Sequence, residues 1–267
     1  RIEDNRGAVQ GKNVIQVGNL VYYLSEDGFY VTDGSSSKPI GANKVDRFFN
    51  NDLKFSKRER VRASYDHVNK LVMWSYPSAT GSNADIQNDK ILIYHIASQR
   101  WSIVELDHEC MVDILSPGFT LEELDDYPTA GTNDIDAITI SLDDAFFIGG
   151  YRSLGVFNTD HKLGSFSGDS LAAVIGTAET ELSPQTRSLV TNIRPIIDTD
   201  DATGSLSFRN RVADTVSTTA NTAMHSTGTI PFHKSARYFK FNLQIPAATT
   251  WSDAQGIDIE AIKEGYR

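Results

Sequence analysis

The sequence predicts an all-β protein, with β-propeller-like blades over residues 1–164 and a β-sandwich-like or propeller-closing domain over residues 165–267. Two observations lead to this prediction. Short runs rich in β-branched and aromatic residues alternate with Asp-Gly, Gly-Asn and Ser-rich turn signals. The order strand, turn, strand, turn, edge strand also recurs along the first half, as in the blades of a propeller. An irregular β-sandwich is the alternative fold for that half.

The first blade is predicted between residues 14 and 49. Its first two strands are the apolar runs 14–17 and 20–24. Asp27-Gly28 predicts a two-residue hairpin turn, because a type I′ turn needs positive φ at both central positions and glycine adopts it without a steric clash. Residues 29–40 then supply the third strand and an edge strand containing Pro39, a position where proline is tolerated.

The order of this blade returns twice. Residues 91–104 repeat it, and a third blade is predicted over residues 138–166, with a first turn at 142–145 and a buried strand at 146–148. The aromatic residues Tyr30, Tyr94 and Phe157 are then equivalent, at separations of 64 and 63 residues. Such even spacing favours a repeated supersecondary unit.

Three segments between the blades are predicted to differ from strands. Residues 43–55 predict a helix, because four apolar residues recur at helical spacing: Val45, Phe48, Phe49 and Leu53. Residues 78–89 predict an exposed polar loop, and residues 105–136 predict a long acidic surface insertion.

The second half is richer in Thr and Ser and lacks the blade order. Its candidate strands are Ala172 to Thr177, Ser188 to Ile197, Ser205 to Val212, Arg237 to Ile245 and Ile257 to Ile262. The intervening segment Asp198 to Gly204 begins like a calcium loop. Positions five and twelve of a calcium loop carry metal ligands, but here they are Ala202 and Arg209. A polar hairpin loop is therefore the better prediction.

Composition limits the class of protein. The apolar fraction of 40% and the charged fraction of 22% are ordinary for a folded globular protein. A net charge of −10 argues against a general nucleic-acid binder. A single cysteine, Cys110, excludes intrachain disulfides, and no apolar run is long enough to span a bilayer. Because the chain begins at Arg1, it is expected to be a fragment or a processed product.

Basic residues are concentrated in one short segment at the end of the predicted helix. Residues 54–62 contain a single acidic residue, Glu59, against five basic ones: Lys54, Lys57, Arg58, Arg60 and Arg62. These five are the candidate site residues, as subunit contacts or as the lining of a DNA channel. A solvated helix end or an ion-paired subunit contact is the favoured interpretation over contact with a nucleic-acid backbone.

No catalytic, metal or cofactor site is predicted. His108-Glu109-Cys110 has no second pair of ligands at metal spacing, and adjacent strand residues point to opposite faces. Most of the six histidines are expected at the surface. No nucleophile, base and acid occur in a recognisable frame, so the protein is predicted to be non-enzymatic and without a cofactor.

Several stretches resemble the β-propeller nozzle or hub proteins of short-tailed bacteriophages, which are similar to packaged-DNA stabilisation proteins. These stretches are GNLVYYLSEDGFYVTDG with KPIGANKVDRFF, YDHVNKLVMWSYP, DKILIYHIASQRWS and SARYFKFNLQIPAATTWSDAQGIDIEAIKEGYR. The resemblance implies a homo-oligomeric ring, commonly a hexamer, below the portal. It also implies contacts with other tail or portal-adaptor proteins, passage of double-stranded DNA, and a place in the virion tail after synthesis in the bacterial cytoplasm. The chain is short for a complete nozzle protein.

Two functions of different classes follow. The first is a structural subunit of a phage tail through which the genome is retained and ejected. The alternative is a binding module that recognises a surface glycan or protein, with Trp74, Trp101 or Trp251 as a stacking platform. Exposed, clustered tryptophans would favour the binding module, and buried ones would favour the scaffold. A hydrolase is the weakest hypothesis, for want of paired acids.

Overall fold

The computed structural model describes residues 6–81, 87–115, 152–166 and 170–265. The chain divides into two compact units, Arg1–Phe166 and Ser167–Arg267. Strands predominate in the described residues, and all of their pairings are antiparallel. The predicted all-β class is therefore confirmed. The finer assignment of residues 1–164 to propeller blades stays a prediction.

The first sheet is a four-stranded meander that follows the predicted first blade. Its strands are β1 (Val14–Val17), β2 (Leu20–Leu24), β3 (Phe29–Thr32) and β4 (Ser37–Pro39). The predicted two-residue turn at Asp27-Gly28 is wrong in length. Leu24 pairs with Phe29, and the Ser25 N–H donates to the Gly28 carbonyl at 2.8 Å, so the turn contains four residues.

The predicted helix over residues 43–55 is shorter in the structure. A 3₁₀ helix, Gly11–Asn13, precedes β1, the α-helix α1 spans Asp46–Asp52, and a second 3₁₀ helix spans Phe55–Arg60. Three of the four apolar residues predicted to face the core are buried, but Phe48 is 45% exposed. None of these described helices has the length and hydropathy needed to cross a membrane.

The second sheet is also a four-stranded meander. Its strands are β5 (Arg62–Asp66), β6 (Leu71–Tyr76), β7 (Asn88–His95) and β8 (Arg100–His108). The exposed loop predicted over 78–89 is wrong at both ends, where Ser78, Asn88 and Asp89 are buried. The Ser78 N–H and hydroxyl donate to the Asp89 carboxylate at 2.6 and 2.5 Å. Polar groups that satisfy each other in this way can be buried at little cost.

The third sheet begins inside the predicted acidic insertion. Its strands are β9 (Cys110–Leu115), β10 (Arg152–Phe157) and β11 (Leu163–Ser165), in the order β11-β10-β9. Residues 105–115 are therefore strand rather than insertion, because Leu106 and Met111 pack into the protein while the acidic residues between them face outward. The turn predicted at 142–145 and the strand predicted at 146–148 lie outside the described residues.

The three sheets pack face to face in succession. One face of the second sheet contacts the first sheet, with Phe29 and Trp74 at its centre. The other face contacts the third sheet, where Met73 meets Met111 and Leu154. The first strands of the three sheets are neighbours, since β5 contacts both β1 and β9.

Tyr30 and Tyr94, two of the three aromatic residues predicted to be equivalent, lie on corresponding faces of their sheets. Tyr94 contacts Tyr22 of the first sheet, and Tyr30 follows Phe29, so both point away from the sheet that comes after their own. In the third sheet it is Val156 that packs toward the second sheet. Phe157 is the next residue and lies on the opposite face of its sheet, unlike Tyr30 and Tyr94.

The second unit is a two-layer β-sandwich. Its strands are β12 (Ala173–Gly176), β13 (Thr180–Glu181), β14 (Ser188–Ile197), β15 (Thr203–Arg209), β16 (Ser217–Thr218), β17 (Thr222–Ala223), β18 (Ile230–Ala236), β19 (Tyr238–Ile245) and β20 (Ala254–Lys263). A fourth sheet has the order β12-β19-β15-β16, with β13 on β19 and β17 on β15, and a fifth has the order β18-β14-β20. Side chains of both sheets form one core cluster, which includes Val190, Leu206, Phe232 and Phe241.

The segment Asp198 to Gly204 is not a hairpin loop. It leads from β14 in the fifth sheet to β15 in the fourth, and these two strands do not pair with each other. A polar connection suits this place because the chain crosses from one layer to the other at the surface.

Candidate functional site

Four of the five predicted site residues lie on the connection between α1 and β5, and the fifth, Arg62, is the first residue of β5. The backbone of this connection is fixed to the second sheet. The Lys54 N–H donates to the Pro77 carbonyl at 2.9 Å, and the Asn88 side chain donates to the Arg60 carbonyl at 3.2 Å. Val61, which is buried, anchors its end. The connection is therefore held in place by its backbone.

Four of the five basic side chains in this segment form no ion pair within the described ranges. Lys57, Arg60 and Arg62 are half-buried and Arg58 is exposed. In the described ranges none of these four forms an ion pair with a carboxylate. Within the described residues the positive charge of these four side chains is therefore not paired with a carboxylate, although the chain as a whole carries −10. An anionic partner would gain electrostatic energy at this place.

Phe55 and Arg58 form a pair at the surface of this connection. Phe55 is 69% exposed, and the guanidinium carbon of Arg58 lies 4.9 Å from the centre of its ring. This cation–π contact orients the arginine. Both side chains line a pocket of about 310 Å³ whose other walls include Leu24 and Leu53. An exposed aromatic ring beside an arginine is typical of the residues that anchor protein contacts.

Sequence analysis missed Phe55. The ring lies outside the helical spacing that marked Val45, Phe49 and Leu53 as core residues, and it was left without a role. Its isolation in a polar, basic run was the available signal, because an apolar residue that belongs to no core face is a candidate for contact with a partner.

The carboxylate at the end of α1, Asp52, already has hydrogen-bond partners in the second sheet. Asp52 accepts hydrogen bonds from the Tyr76 hydroxyl at 2.8 Å and from the Lys90 ammonium at 3.0 Å. Burial and the hydrogen bond to Asp52 raise the pKa of Tyr76 above its ordinary value. Asp52 thus ties α1 to β6 and β7 and does not neutralise the basic connection.

A buried serine and histidine lie close together in the second sheet. The Ser75 hydroxyl is 2.6 Å from Nε2 of His108, and the Asn88 amide donates to the same hydroxyl oxygen. The other ring nitrogen of His108 is 2.7 Å from the Leu106 carbonyl, so it carries the proton and Nε2 accepts from Ser75. Burial lowers the pKa of His108. Both side chains are fully buried, so the pair holds β6, β7 and β8 together out of reach of any substrate.

The tryptophans considered as a stacking platform lie mostly in the core. Trp74 is fully buried, and half-buried Trp101 packs on it with ring centres 5.7 Å apart. Their indole N–H groups donate to the carbonyls of Asn13 and Ile40. Trp251, in the second unit, is half-buried.

The carboxylate of Asp198 serves a structural purpose. It accepts hydrogen bonds from the backbone and hydroxyl of Ser252 and from the Asp253 N–H, and these bonds lower its pKa. The contact joins the connection after β14 to the segment before β20. Across the described ranges, no group of three or more His, Cys, Asp or Glu side chains is arranged to hold a metal ion.

No protein-family model matches the chain, and no curated protein matches it. The fold and the site define an all-β protein of antiparallel sheets with four basic side chains, between α1 and the start of β5, that form no ion pair in the described part of the chain. The function of this protein is argued from those features below.

Proposed function

We propose that the chain is a non-enzymatic structural subunit of a bacteriophage tail, a nozzle or hub protein whose ring retains and then ejects the genome. The observation that carries the proposal is the arrangement of the first unit. Three antiparallel sheets pack face to face, and the first described strand of each is next to that of its neighbour. Neighbouring blades of a propeller are arranged in this way around a central axis. The resemblance of the sequence to tail nozzle proteins supports the same function.

In this proposal the basic connection contacts a neighbouring subunit or lines the conduit. Ring assembly from identical subunits requires two different patches that meet head to tail. Lys57, Arg58, Arg60 and Arg62, which form no ion pair within the described ranges, supply the positive patch, and a chain with 35 acidic residues offers carboxylates for the other. Phe55, which is exposed and contacts Arg58, adds an apolar anchor.

The alternative, a binding module for a surface glycan, has less support. A glycan platform needs exposed aromatic faces. In the described part of the first unit, Trp74 and Trp101 pack in the shared core of the first and second sheets instead. A module that recognises a protein through its loops remains the second candidate.

Electron microscopy of the purified chain in negative stain, with class averaging at high concentration, tests the proposal. Rings with a central channel of about 20 Å or more, wide enough for duplex DNA, are the expected result. Monomers at all concentrations would favour the binding module, and a glycan and protein binding screen would then decide.

A charge-reversal variant tests the role of the basic connection. We expect the variant with Lys57, Arg58, Arg60 and Arg62 all changed to Glu to sediment as a smaller species than the unmodified chain. The control makes the same change of charge at four exposed basic residues of the second unit: Arg194, Lys234, Lys240 and Lys263. Full assembly of the first variant would contradict the assignment of the connection to a subunit contact.

A further inference from the structure

An apolar groove lies between α1 and β8 in the first unit. It has a volume of about 740 Å³, and its apolar walls include Phe48, Trp101 and Ile103. Phe48 is 45% and Ile103 39% exposed, so the groove is open to solvent. The charged residues that line it are Lys44 and Arg100, and none of the described residues that line it is a carboxylate. The groove therefore combines an apolar floor with a positive rim.

The groove runs beside the outer edge of β8. Among the described strands this nine-residue strand pairs with β7 alone, so no described strand takes up the backbone N–H and C=O groups of its outer edge. Side chains alternate along a strand, and Trp101, Ile103 and Glu105 lie on the face that borders the groove. A strand added to this edge would direct every second side chain into the groove.

We propose that the edge of β8 and this groove bind an extended acidic segment of a partner protein by β-strand addition. The backbone of the segment pairs with β8, and one of its apolar side chains fills the space between Phe48 and Ile103. Its carboxylates meet Lys44 and Arg100. This inference stands independently of the proposed tail function.

The charges also set the position of the segment along β8. Glu105 lies two residues beyond Ile103 on the same face, and its side chain is 79% exposed. A carboxylate of the partner at that end would be repelled. The acidic residues of the partner therefore lie at the Arg100 end, and the Glu105 end takes neutral or basic residues.

Selection from a displayed library of random linear peptides against the full chain tests the inference. We expect enriched peptides that combine an apolar residue with carboxylates on one side. Fluorescence anisotropy with labelled peptides should show binding at least tenfold weaker to the Arg100→Glu and Ile103→Lys variants. Proline at alternate positions of a peptide should abolish binding, because it removes the N–H groups of the ladder.

Matched controls come from β20, an edge strand of the second unit. Ile262→Lys and Lys263→Glu change an exposed apolar residue and an exposed basic residue on that strand in the same way, and binding should stay within twofold. The inference is overturned if no peptide is enriched, or if enriched peptides bind all variants equally. A dimer in sedimentation that Ile103→Lys abolishes would also overturn it, because the occupant would then be a second copy of the chain.

Discussion

The ring of Phe29 in β3 packs against the indole of Trp74 in β6, with their centres 4.7 Å apart. Both side chains are fully buried. Phe29 also contacts Phe49 of α1 at 4.9 Å and Trp101 of β8 at 5.1 Å. One aromatic cluster thus joins the first sheet, the helix and the second sheet, and these elements should unfold together.

Removal of this ring should destabilise the first unit strongly. We expect Phe29→Ala to lower the free energy of unfolding by about 3–5 kcal/mol, since the lost transfer energy is joined by the cost of a cavity. Urea denaturation followed by tryptophan fluorescence measures the change. Phe55→Ala removes the same side chain from an exposed position and should cost at most about 0.5 kcal/mol. Similar losses for the two variants would contradict the role of Phe29.

Alanine substitutions at Gly18 and Gly28 distinguish the cost of backbone strain from the cost of a steric collision. Both have positive φ, +147° and +61°. A Cβ at Gly28 would collide with the carboxylate of Asp46, which accepts a hydrogen bond from the Phe29 N–H, whereas nothing lies near Gly18. Gly18→Ala should cost about 1 kcal/mol from backbone strain, and Gly28→Ala should cost clearly more. Equal melting temperatures of the two variants would exclude the collision.

Removal of one partner of the ion pair between Asp52 and Lys90 should destabilise the protein more than replacement of both partners. Both side chains are 13% exposed. Asp52→Ala leaves the Lys90 ammonium and the Tyr76 hydroxyl without this partner, and we expect a loss of about 2–4 kcal/mol. The double variant Asp52→Ala with Lys90→Met should recover part of that loss, because no charge then remains buried. Additive losses in denaturation experiments would contradict this coupling.

The local patterns of the sequence were good predictors of strands. The alternation in Arg237 to Ile245 and the run Ser188 to Ile197 predicted β19 and β14 closely. Such patterns depend on neighbouring residues alone, because the sheet period of two appears directly in the sequence. The strand pairing that decides whether a loop is a hairpin is not local, and the segment after β14 was mispredicted for that reason.

The errors at Ser78, Asp89 and residues 105–115 have one cause. Polar and acidic residues predict exposure when composition alone is considered. Ser78 and Asp89 instead satisfy each other's hydrogen bonds. In β8 the exposed acidic residues alternate with less exposed ones, in the order Glu105, Leu106, Asp107 and His108. Burial of a polar group depends on a partner distant in sequence. The basic connection was visible from composition. The exposure of Phe48 and Phe55 could not be predicted from the sequence, because it depends on how α1 packs against the sheets.

The buried His108 predicts a loss of stability in mild acid. Burial lowers its pKa in the folded protein, and 6.5 is the ordinary value. Between these two pKa values the unfolded state binds one more proton at this histidine than the folded state does. The contribution of neutral His108 to the free energy of unfolding is therefore fully present above pH 6.5, and it falls as the pH drops toward the folded-state pKa. One proton gives a slope of at most about 1.4 kcal/mol per pH unit. Denaturation between pH 7 and 5 should show this slope, and His108→Gln should remove it.

His161 provides the control because its pKa moves in the opposite direction. A hydrogen bond from its ring to Glu109 at 2.7 Å raises the pKa of this exposed histidine. The stabilisation that this hydrogen bond gives to the folded protein is fully present below pH 6.5, and it is lost as the pH rises through the folded-state pKa of His161. His161→Gln should therefore leave the slope below pH 6.5 unchanged. NMR titration resolves the two rings even if His108→Gln fails to fold, and a midpoint for His108 at or above 6.5 would contradict the buried neutral ring.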